Sequence, residues 1–284
     1  MTQTVLILGA TGRFGRNAAV QFEQAGWTVR RFDRTRGDLA ASAQGADVIV
    51  NAWNLPYTEW AQTPDLHRDV QNVASQTGAT VILPGNVYVF GETTPGPWSQ
   101  DVAQRAQNAL GRVRIEIEAS YRASGVRTII LRAGDFLDTA ASGNWFDQIM
   151  VKNLSKGVFT YPGDPSIPHA WAFLPDLCRA TVELAEMRND LPRFSDIPFP
   201  GYTLSGSEMF ASVDRVTAQK LRLKRMSWVP LQLARPFWRM AGRFIEMRYL
   251  WNTPHSLDAT RFSALLPGFR ATPLDKAMAQ AVGV

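Results

Sequence analysis

Three glycines follow a short apolar run near the N-terminus, in the stretch TVLILGATGRFGRN at residues 4–17. Gly9, Gly12 and Gly15 lie three residues apart, and the residues after them have the periodicity of an amphipathic helix. In a strand–turn–helix unit, Gly9 would allow a tight turn, Gly12 would let the backbone approach a pyrophosphate, and Gly15 would let the helix pack on the strand. The helix N-terminus would then offer N–H groups and a partial positive charge to the phosphates. The spacing therefore predicts a dinucleotide site, with a glycine-rich packing turn as the alternative.

Charged residues around the second apolar run bear on which dinucleotide is bound. Asp33 ends this run, where a carboxylate can accept hydrogen bonds from a ribose 2′-hydroxyl and favour NAD. Arg13 in the loop, with Arg34 and Arg36 after the run, offers guanidinium groups that suit the 2′-phosphate of NADP. We favour NADP, because two or three arginines would outweigh one carboxylate that turns aside, and we keep NAD as the alternative.

The elements that position these residues are indicated by alternating patterns in the first half of the chain. Apolar runs at 5–8, 28–32, 47–52, 80–83 and 127–131 alternate with helical periodicity at 14–25, 65–76 and 102–124. This alternation predicts an α/β fold, a Rossmann-type doubly wound parallel sheet. Residues 1–165 would form the NAD(P)-binding domain, which would also include strands from the C-terminal half of the chain. Residues 166–284 would form a small substrate-binding lobe, partly interleaved with the first.

Composition limits the classes of protein and of site. A hydrophobic content of 45% in 284 residues is typical of a globular protein, and the single cysteine excludes a disulfide framework and favours the reducing cytoplasm. The net charge of +5 favours anionic ligands, but no nucleic-acid motif is present and no apolar stretch approaches a membrane span. His67, His169 and His255 lack ligand spacing, so we predict no metal site.

Several segments resemble, in order, the landmarks of extended or atypical short-chain dehydrogenases/reductases, the NAD-dependent epimerase/dehydratase superfamily. They are GATGRFG at 9–15, DL at 38–39, DVIVNAWN at 47–54, ILPGNVYVFGE at 82–92, IILRAGDFL at 129–137, HAWAFLPDLCRA at 169–180 and PGFRATPLDKAM at 267–278. The resemblance implies a set of cofactor-binding residues: Gly9, Thr11, Gly12, Arg13, Phe14, Gly15, Asp33, Arg34, Asp38, Leu39 and Ala52.

The resemblance also implies catalytic positions, and this sequence departs from them. The family places a Ser or Thr on the fourth strand and a Tyr-x-x-x-Lys pair on the next helix, whereas Asn86, Asn108 and Arg112 stand at these positions here. Asparagine cannot transfer a proton near neutral pH, and arginine cannot give one up. Tyr88 comes two residues after Asn86, so on a strand both side chains would face the cofactor crevice. We therefore nominate three catalytic residues: Asn86 to hydrogen-bond a substrate oxygen, Arg112 to fix the cofactor or an anionic substrate, and Tyr88 to supply the proton, with a core role as the alternative for Tyr88.

Three functions remain open from the sequence. The first is an NAD(P)-dependent oxidoreductase or epimerase acting on a small carbonyl or hydroxyl substrate, with anionic substrates among the candidates. The second is a protein that binds NAD(P) without turning it over and acts as a sensor or assembly partner. The third is an enzyme whose substrate lies outside the sugar nucleotides.

Four further features have a mainly structural interpretation. His169 and Asp135 are weaker candidates for ligand contact, and Asp176 is predicted to cap a helix. Residues 215–251 are rich in arginine and aromatic side chains, which we interpret as helices of the substrate lobe packing on the sheet domain. A pocket for an anionic substrate, a homodimer face and an anionic membrane surface are the alternatives, and we do not expect membrane contact.

Overall fold

The computed structural model describes residues 2–35 and 37–284, so Arg36 lies outside the described residues. Its strands are β1 (Thr4–Leu8), β2 (Thr28–Phe32), β3 (Val48–Asn51), β4 (Thr80–Gly85), β5 (Thr128–Arg132), β6 (Asp135–Leu137), β7 (Val158–Tyr161), β8 (His169–Phe173), β9 (Phe194–Pro198), β10 (Tyr202–Leu204) and β11 (Arg222–Arg225). Its helices are α1 (Arg13–Gln24), α2 (Leu39–Ala43), α3 (Thr63–Thr77), α4 (Ala109–Ala123), α5 (Leu174–Glu186), α6 (Gly206–Thr217), α7 (Val229–Ala234), α8 (Arg239–Glu246), α9 (Thr260–Leu265) and α10 (Leu274–Val282).

A six-stranded parallel sheet forms the centre of the molecule, with the order β2-β1-β3-β4-β5-β9. Helices α1 and α5 pack against each other, and so do α3 and α4, with an apolar core on each face of the sheet. The strand order reverses between β1 and β3, which is where open α/β sheets leave a crevice at the carboxyl ends of their strands. The predicted Rossmann-type doubly wound sheet is confirmed.

Four of the five predicted strands of the first half are buried because both faces of this sheet are covered, whereas β2 lies at the edge of the sheet and is largely exposed. All five residues of β1 are buried, as this arrangement requires. Gly26, Gly78 and Gly125, where helical patterns stop in the sequence, all have positive φ. Gly78 is the left-handed C-cap of α3, and its N–H donates to the carbonyl of Ala74.

Two local expectations differ from the structure. The third helical pattern was predicted from residue 102, but α4 begins only at Ala109, because the preceding chain follows the loop after β4 and the Ala106 N–H donates to the Val89 carbonyl. The short helix α2 was not predicted. It begins because the Asp38 side chain accepts hydrogen bonds from the N–H groups of Ala40 and Ala41.

Smaller sheets lie beside the central sheet. One has the order β10-β8-β6, and the other pairs β11 with β7 in parallel. They share a core rich in aromatic side chains, among them Tyr161, Trp171 and Trp251. The pairings of β9 with β5 and of β6 with β8 both cross residue 165, and the division into two domains stays a prediction. Among the described residues, no helix has the length and apolar character needed to cross a membrane.

Candidate active site

The glycine loop after β1 leaves no room for side chains at two of its three glycines. Gly9 has φ +78°, and a Cβ atom there would lie 2.9 Å from the carbonyl oxygen of Ala52 at the end of β3. A Cβ atom on Gly15 would lie 2.3 Å from the carbonyl oxygen of Gly9. The Gly12 N–H closes the turn on the Gly9 carbonyl at 2.9 Å. The loop is therefore a tight turn held between β1, β3 and the first turn of α1.

Helix α1 starts at the carboxyl edge of the sheet with its N-terminus uncapped by any side chain. Gly12 is the N-cap, and the first turn contains no acidic residue. Thr11 and Gly12 are exposed, whereas Phe14 is buried in the core and anchors the helix start against the sheet. This arrangement directs backbone N–H groups and the positive end of the helix dipole toward the crevice, as binding of an anionic group requires.

The residues expected near the adenosine lie at the end of β2. The Asp33 carboxylate accepts hydrogen bonds from the Thr35 hydroxyl at 2.7 Å and the Thr35 N–H at 2.9 Å, and these bonds lower its pKa. Arg34 is exposed, Leu39 is half-buried against the core, and the Asp38 side chain is engaged in capping α2. The sequence also assigned Arg36 to this group, but it lies outside the described residues.

Arg13 contacts a different part of the molecule from Asp33. Its guanidinium donates to the Gly143 carbonyl at 3.1 Å, and its charge acts to lower the pKa of Tyr57, which follows β3. The same segment is held to α1 by Asp138, a buried carboxylate that accepts hydrogen bonds from Arg16 and Asn17. Residues 138–143 are therefore bound to the first turns of α1, and Arg13 faces this segment.

Two tyrosines share a hydrogen bond beside the crevice. Tyr57 begins the 3₁₀ helix Tyr57–Gln62 after β3, Tyr88 begins the 3₁₀ helix Tyr88–Phe90 after β4, and their hydroxyl oxygens are 2.7 Å apart. Burial raises the pKa of Tyr57 to about 12 and raises that of Tyr88 well above its ordinary value. Both phenols are therefore protonated at neutral pH and serve as hydrogen-bond donors. Tyr57 is not among the residues predicted from the sequence, where its only signal is its position shortly after the third strand.

A carboxylate paired with a histidine lies close to these tyrosines. Asp135 begins β6 just after β5 and raises the pKa of both Tyr57 and Tyr88 through its charge. Its Oδ2 is 2.8 Å from Nε2 of His169, and the Asp135 side chain is 20% exposed whereas that of His169 is only 1% exposed. The His169 ring stacks on Trp251 at 4.5 Å, so the histidine is fixed and the carboxylate is the accessible member of the pair.

The prediction that Asn86 and Tyr88 lie on one strand and face the same side is wrong, because β4 ends at Gly85 and Tyr88 belongs to a 3₁₀ helix. The two residues are joined differently. The Asn86 side-chain oxygen accepts a hydrogen bond from the Tyr88 N–H at 3.1 Å, which fixes the turn that carries the phenol. Arg132 also holds this turn by donating to the Asn86 carbonyl.

Arg112 lies on the exposed side of α4 and donates to the Gln107 side chain. The buried arginine of this helix is Arg114, two residues later, which donates to the Pro84 carbonyl in β4. Asn108, at the position of the family's tyrosine, is the N-cap of α4, and its side chain donates to Glu246. The signal that could have identified Arg114 is its helical spacing of four from Glu118, a buried acid.

A buried ion cluster holds the carboxyl end of β5 in place. Arg132 is fully buried and donates to Glu118 of α4 and to Asp196 of β9. Burial acts to lower the pKa of Arg132, but the two carboxylates outweigh it and raise the pKa. The guanidinium therefore stays charged and links α4, β5 and β9 beneath the site.

Glu118→Gln is expected to lower the free energy of unfolding by about 3 kcal/mol, because it removes one charge from a buried cluster and leaves Arg132 incompletely compensated. Urea-induced unfolding measures this change. Glu116→Gln, an exposed change on the same helix, is the matched control and should be near neutral. Equal stability of the two variants would contradict the role of the cluster.

Asp176 does not cap a helix as predicted, because the N-cap of α5 is Phe173. Its buried carboxylate instead accepts hydrogen bonds from the N–H and hydroxyl of Thr272 and from Arg179, which ties the C-terminal segment to α5. In the part of the chain that the structure describes, no three His, Cys, Asp or Glu side chains form a group that could hold a metal ion.

Comparison with solved structures places this architecture among known folds, although no protein-family model and no curated protein matches the sequence. A GalE-like L-threonine dehydrogenase from Cupriavidus necator is similar at a TM-score of 0.78 and 20% identity, with 99% of each chain covered. MoeE5 in complex with UDP-glucose and NAD is similar at a TM-score of 0.77 and 15% identity, with 99% of this chain and 97% of that chain covered. The chain shares the fold of these solved structures.

A UDP-glucuronic acid 4-epimerase from Bacillus cereus, in complex with UDP-glucuronic acid and NAD, has the same fold as this chain at a TM-score of 0.75 and 13% identity. The alignment covers 99% of this chain and 98% of the epimerase. Both the central sheet and the smaller C-terminal elements therefore belong to the shared fold. At these identities the similarity establishes the fold, and the chemistry has to be argued from the residues of this chain.

Proposed function

We propose that this chain is an NAD(P)-dependent enzyme of the oxidoreductase or epimerase type, acting on a small substrate that carries a hydroxyl or carbonyl group. One observation carries the proposal: a glycine loop with no room for a Cβ atom at Gly9 or Gly15 opens at the same sheet edge as Tyr57, Tyr88 and Asp135. The proposal is supported by the proteins of similar fold, which include two UDP-sugar 4-epimerases and an L-threonine dehydrogenase.

The loop residues Gly9, Thr11, Gly12 and Gly15 would hold the pyrophosphate of the dinucleotide, with Phe14 anchoring the helix start and Ala52 closing the turn from β3. The bound dinucleotide would supply the hydride acceptor or donor. The remaining chemistry, orientation of the substrate and transfer of a proton, falls to side chains of the chain itself.

Asp135 is the group proposed to move the proton. In the oxidative direction, its carboxylate takes the hydroxyl proton of the substrate while the hydride leaves the same carbon. His169 is a positioning residue that fixes the carboxylate through Nε2. Tyr57 and Tyr88 are hydrogen-bonded to each other, so one phenol donates to the other, and the hydroxyl that accepts this bond donates to the substrate oxygen and stabilises the charge that develops on it.

The sequence-derived catalytic set changes in this proposal. Tyr88 keeps a role as a hydrogen-bond donor, and Asn86 positions it through the backbone of the turn. The guanidinium of Arg112 lies on the exposed side of α4, and its role as a contact for an anionic group remains a prediction.

We propose NAD as the preferred cofactor, whereas the sequence argument favoured NADP. That argument depended partly on Arg13, and Arg13 is engaged with Gly143 rather than with the end of β2. Asp33 lies at the end of β2, and hydrogen bonds from Thr35 favour its ionised form, which repels a 2′-phosphate. The similar structures solved with NAD support the same choice.

NADH is expected to raise the melting temperature more than NADPH at equal concentration, because a ligand that binds the folded state stabilises it. Replacement of Asp33 by alanine should reduce or reverse this preference, and Asp101→Ala, at an exposed acid outside the loop, is the control. Thermal unfolding and nicotinamide fluorescence measure the effect. If NADPH raised the melting temperature of the unmodified chain more than NADH did, Arg34 and its neighbours would be the residues that recognise the ribose, through its 2′-phosphate.

A second function, binding of NAD(P) without turnover, is favoured by the replacement of the family's catalytic residues. The side chains of Asn86 and Asn108 are both engaged in hydrogen bonds within the protein: Asn86 accepts from the Tyr88 N–H, and Asn108 donates to Glu246. The decisive experiment follows NADH absorbance with a panel of aldehydes, ketones and alcohols that includes L-threonine and UDP-glucose. Because an epimerase returns the hydride to its substrate and leaves NADH absorbance unchanged, the products are also examined for the epimer of UDP-glucose. Cofactor binding with neither an absorbance change nor an epimerised product would favour the non-catalytic function.

A further inference from the structure

Exposed apolar side chains are concentrated on one segment of the smaller part of the molecule. Phe237 is 92% exposed, Leu233 72%, Val229 55% and Trp238 49%. We did not expect membrane contact from the sequence, because this segment was interpreted as helices packing on the sheet domain. Part of it does pack, as Trp228 is buried, but four large apolar side chains within ten residues are left in contact with water. A cluster of this kind usually marks a binding surface.

The geometry of α7 explains why these side chains point outward. Val229 and Leu233 are four residues apart and therefore lie on the same side of the helix. Leu231 lies between them and packs partly against the aromatic core, which orients the helix. Phe237 and Trp238 follow in the turn that leads to α8, where the N–H groups of both residues donate to the Ala234 carbonyl.

The charged residues of the segment that carries these side chains are all positive, and from outside it Asp164 interacts electrostatically with Arg225. No acidic residue occurs between 219 and 245. Glu246 is the first acid after this stretch, and its carboxylate accepts hydrogen bonds from Arg243, Asn108 and the N–H of Leu110. We call the exposed members of this set the basic apolar face: Arg222, Lys224, Arg225, Val229, Leu233, Arg235, Phe237, Trp238, Arg239 and Arg248.

A cavity of about 380 Å³ shows that these elements belong to one side of the molecule, because Arg225 of β11, Val229 of α7 and Arg248 all line it. The Arg248 guanidinium lies 5.3 Å from the ring centroid of Trp228, which also lines the cavity. Cationic groups from two parts of the chain therefore lie beside the exposed Val229 of α7.

We propose that the basic apolar face docks on the surface of a lipid bilayer that contains anionic lipids. Phe237, Leu233 and Trp238 would enter the boundary between headgroups and acyl chains, and the arginines would contact lipid phosphates, as in other interfacial helices. The face suits this occupant better than a second copy of the chain. A symmetric dimer would place its cations against the same cations, which costs free energy unless acids intervene.

The test is flotation with vesicles of phosphatidylcholine alone and with vesicles containing about one third phosphatidylglycerol. The full chain is expected to float with the anionic vesicles, to stay behind with the neutral ones, and to be released as the salt concentration rises. Arg239→Glu should weaken binding to anionic vesicles roughly 10- to 30-fold, since each charge near such a surface contributes to binding. Arg105→Glu, at an exposed arginine outside the face, is the matched control.

The apolar part of the face is tested by replacing Phe237 and Leu233 with serine. Both side chains are exposed, so the variant should fold, and it is expected to lose at least about tenfold in vesicle affinity. Val20→Ser, at an exposed valine of α1, is the control for loss of an apolar surface group.

Absence of binding to anionic vesicles, or equal binding to neutral ones, would overturn the proposal. The proposal would also be overturned if sedimentation showed that the unmodified chain is a dimer and the Phe237→Ser variant a monomer, because a second copy would then cover the face. Binding to anionic vesicles that is lost in both face variants and kept in both controls supports it. None of these outcomes depends on whether the chain binds NAD.

Discussion

Gly15→Ala is expected to weaken NADH binding by roughly 100-fold, because the loop that would hold the pyrophosphate must move by about an ångström to admit the methyl group. The added Cβ atom would lie 2.3 Å from the Gly9 carbonyl oxygen and 2.8 Å from the Gly9 carbonyl carbon. Both are backbone atoms and cannot turn aside as a side chain can. Nicotinamide fluorescence measures the affinity, and circular dichroism shows whether the fold is kept.

The control for this change is Gly268→Ala, since a Cβ atom on Gly268 meets nothing within 4 Å. A second variant separates cofactor binding from packing. Gly12 is exposed and has no positive φ, and a Cβ atom there meets only the Gly9 oxygen at 3.2 Å, so Gly12→Ala should fold and still place a methyl group where a pyrophosphate would approach. Unchanged NADH affinity in Gly12→Ala would favour the packing turn over the dinucleotide site.

Asp135→Asn is expected to lower kcat by about 10² to 10⁴, the usual contribution of a general base, while NADH affinity stays unchanged. The amide oxygen can still accept a hydrogen bond from Nε2 of His169, so the change removes the proton acceptor with little disturbance of the pair. The measurement is NADH absorbance with the best substrate found in the panel, taken across a range of pH.

Asp190→Asn, at an exposed acid without a place in the site, is the matched control. His169→Gln tests the positioning role, and it should alter the pH profile of the residual rate as well as its size. A rate that survives in Asp135→Asn would assign the proton transfer to another group, with Tyr57 as the next candidate because its hydroxyl lies in the same cluster. NADH binding without turnover in the unmodified chain would instead support the non-catalytic function.

The sequence carried enough information to predict the class of fold and the position of the glycine loop. Strands that are buried on both faces need continuous apolar runs, and amphipathic helices need a period near 3.6, so both are visible locally. The positive φ of Gly9, Gly26, Gly78 and Gly125 could also be predicted locally, because turns after strands and helices often need a positive φ, which glycine adopts without a steric cost. The five strands predicted in the first half are all present.

The sequence could not show which faces of the elements meet. Arg112 and Arg114 belong to one helical pattern, and only the packing of α4 on β4 decides that Arg114 is buried and Arg112 exposed. The end of β4 at Gly85 is likewise set by contacts of the following turn with residues 105–111, distant from any pattern in the strand itself.

The candidate site combines both kinds of information. Its glycine loop was predicted from local spacing, whereas the pairing of Asp135 with His169 joins residues 34 positions apart through the parallel pairing of β6 with β8. The exposure of Phe237 was equally hidden, because an aromatic residue in an amphipathic segment is compatible with core packing until the neighbouring elements are placed. Local patterns determine which elements form. Long-range contacts decide which side chains share a site, because burial is a property of the whole fold.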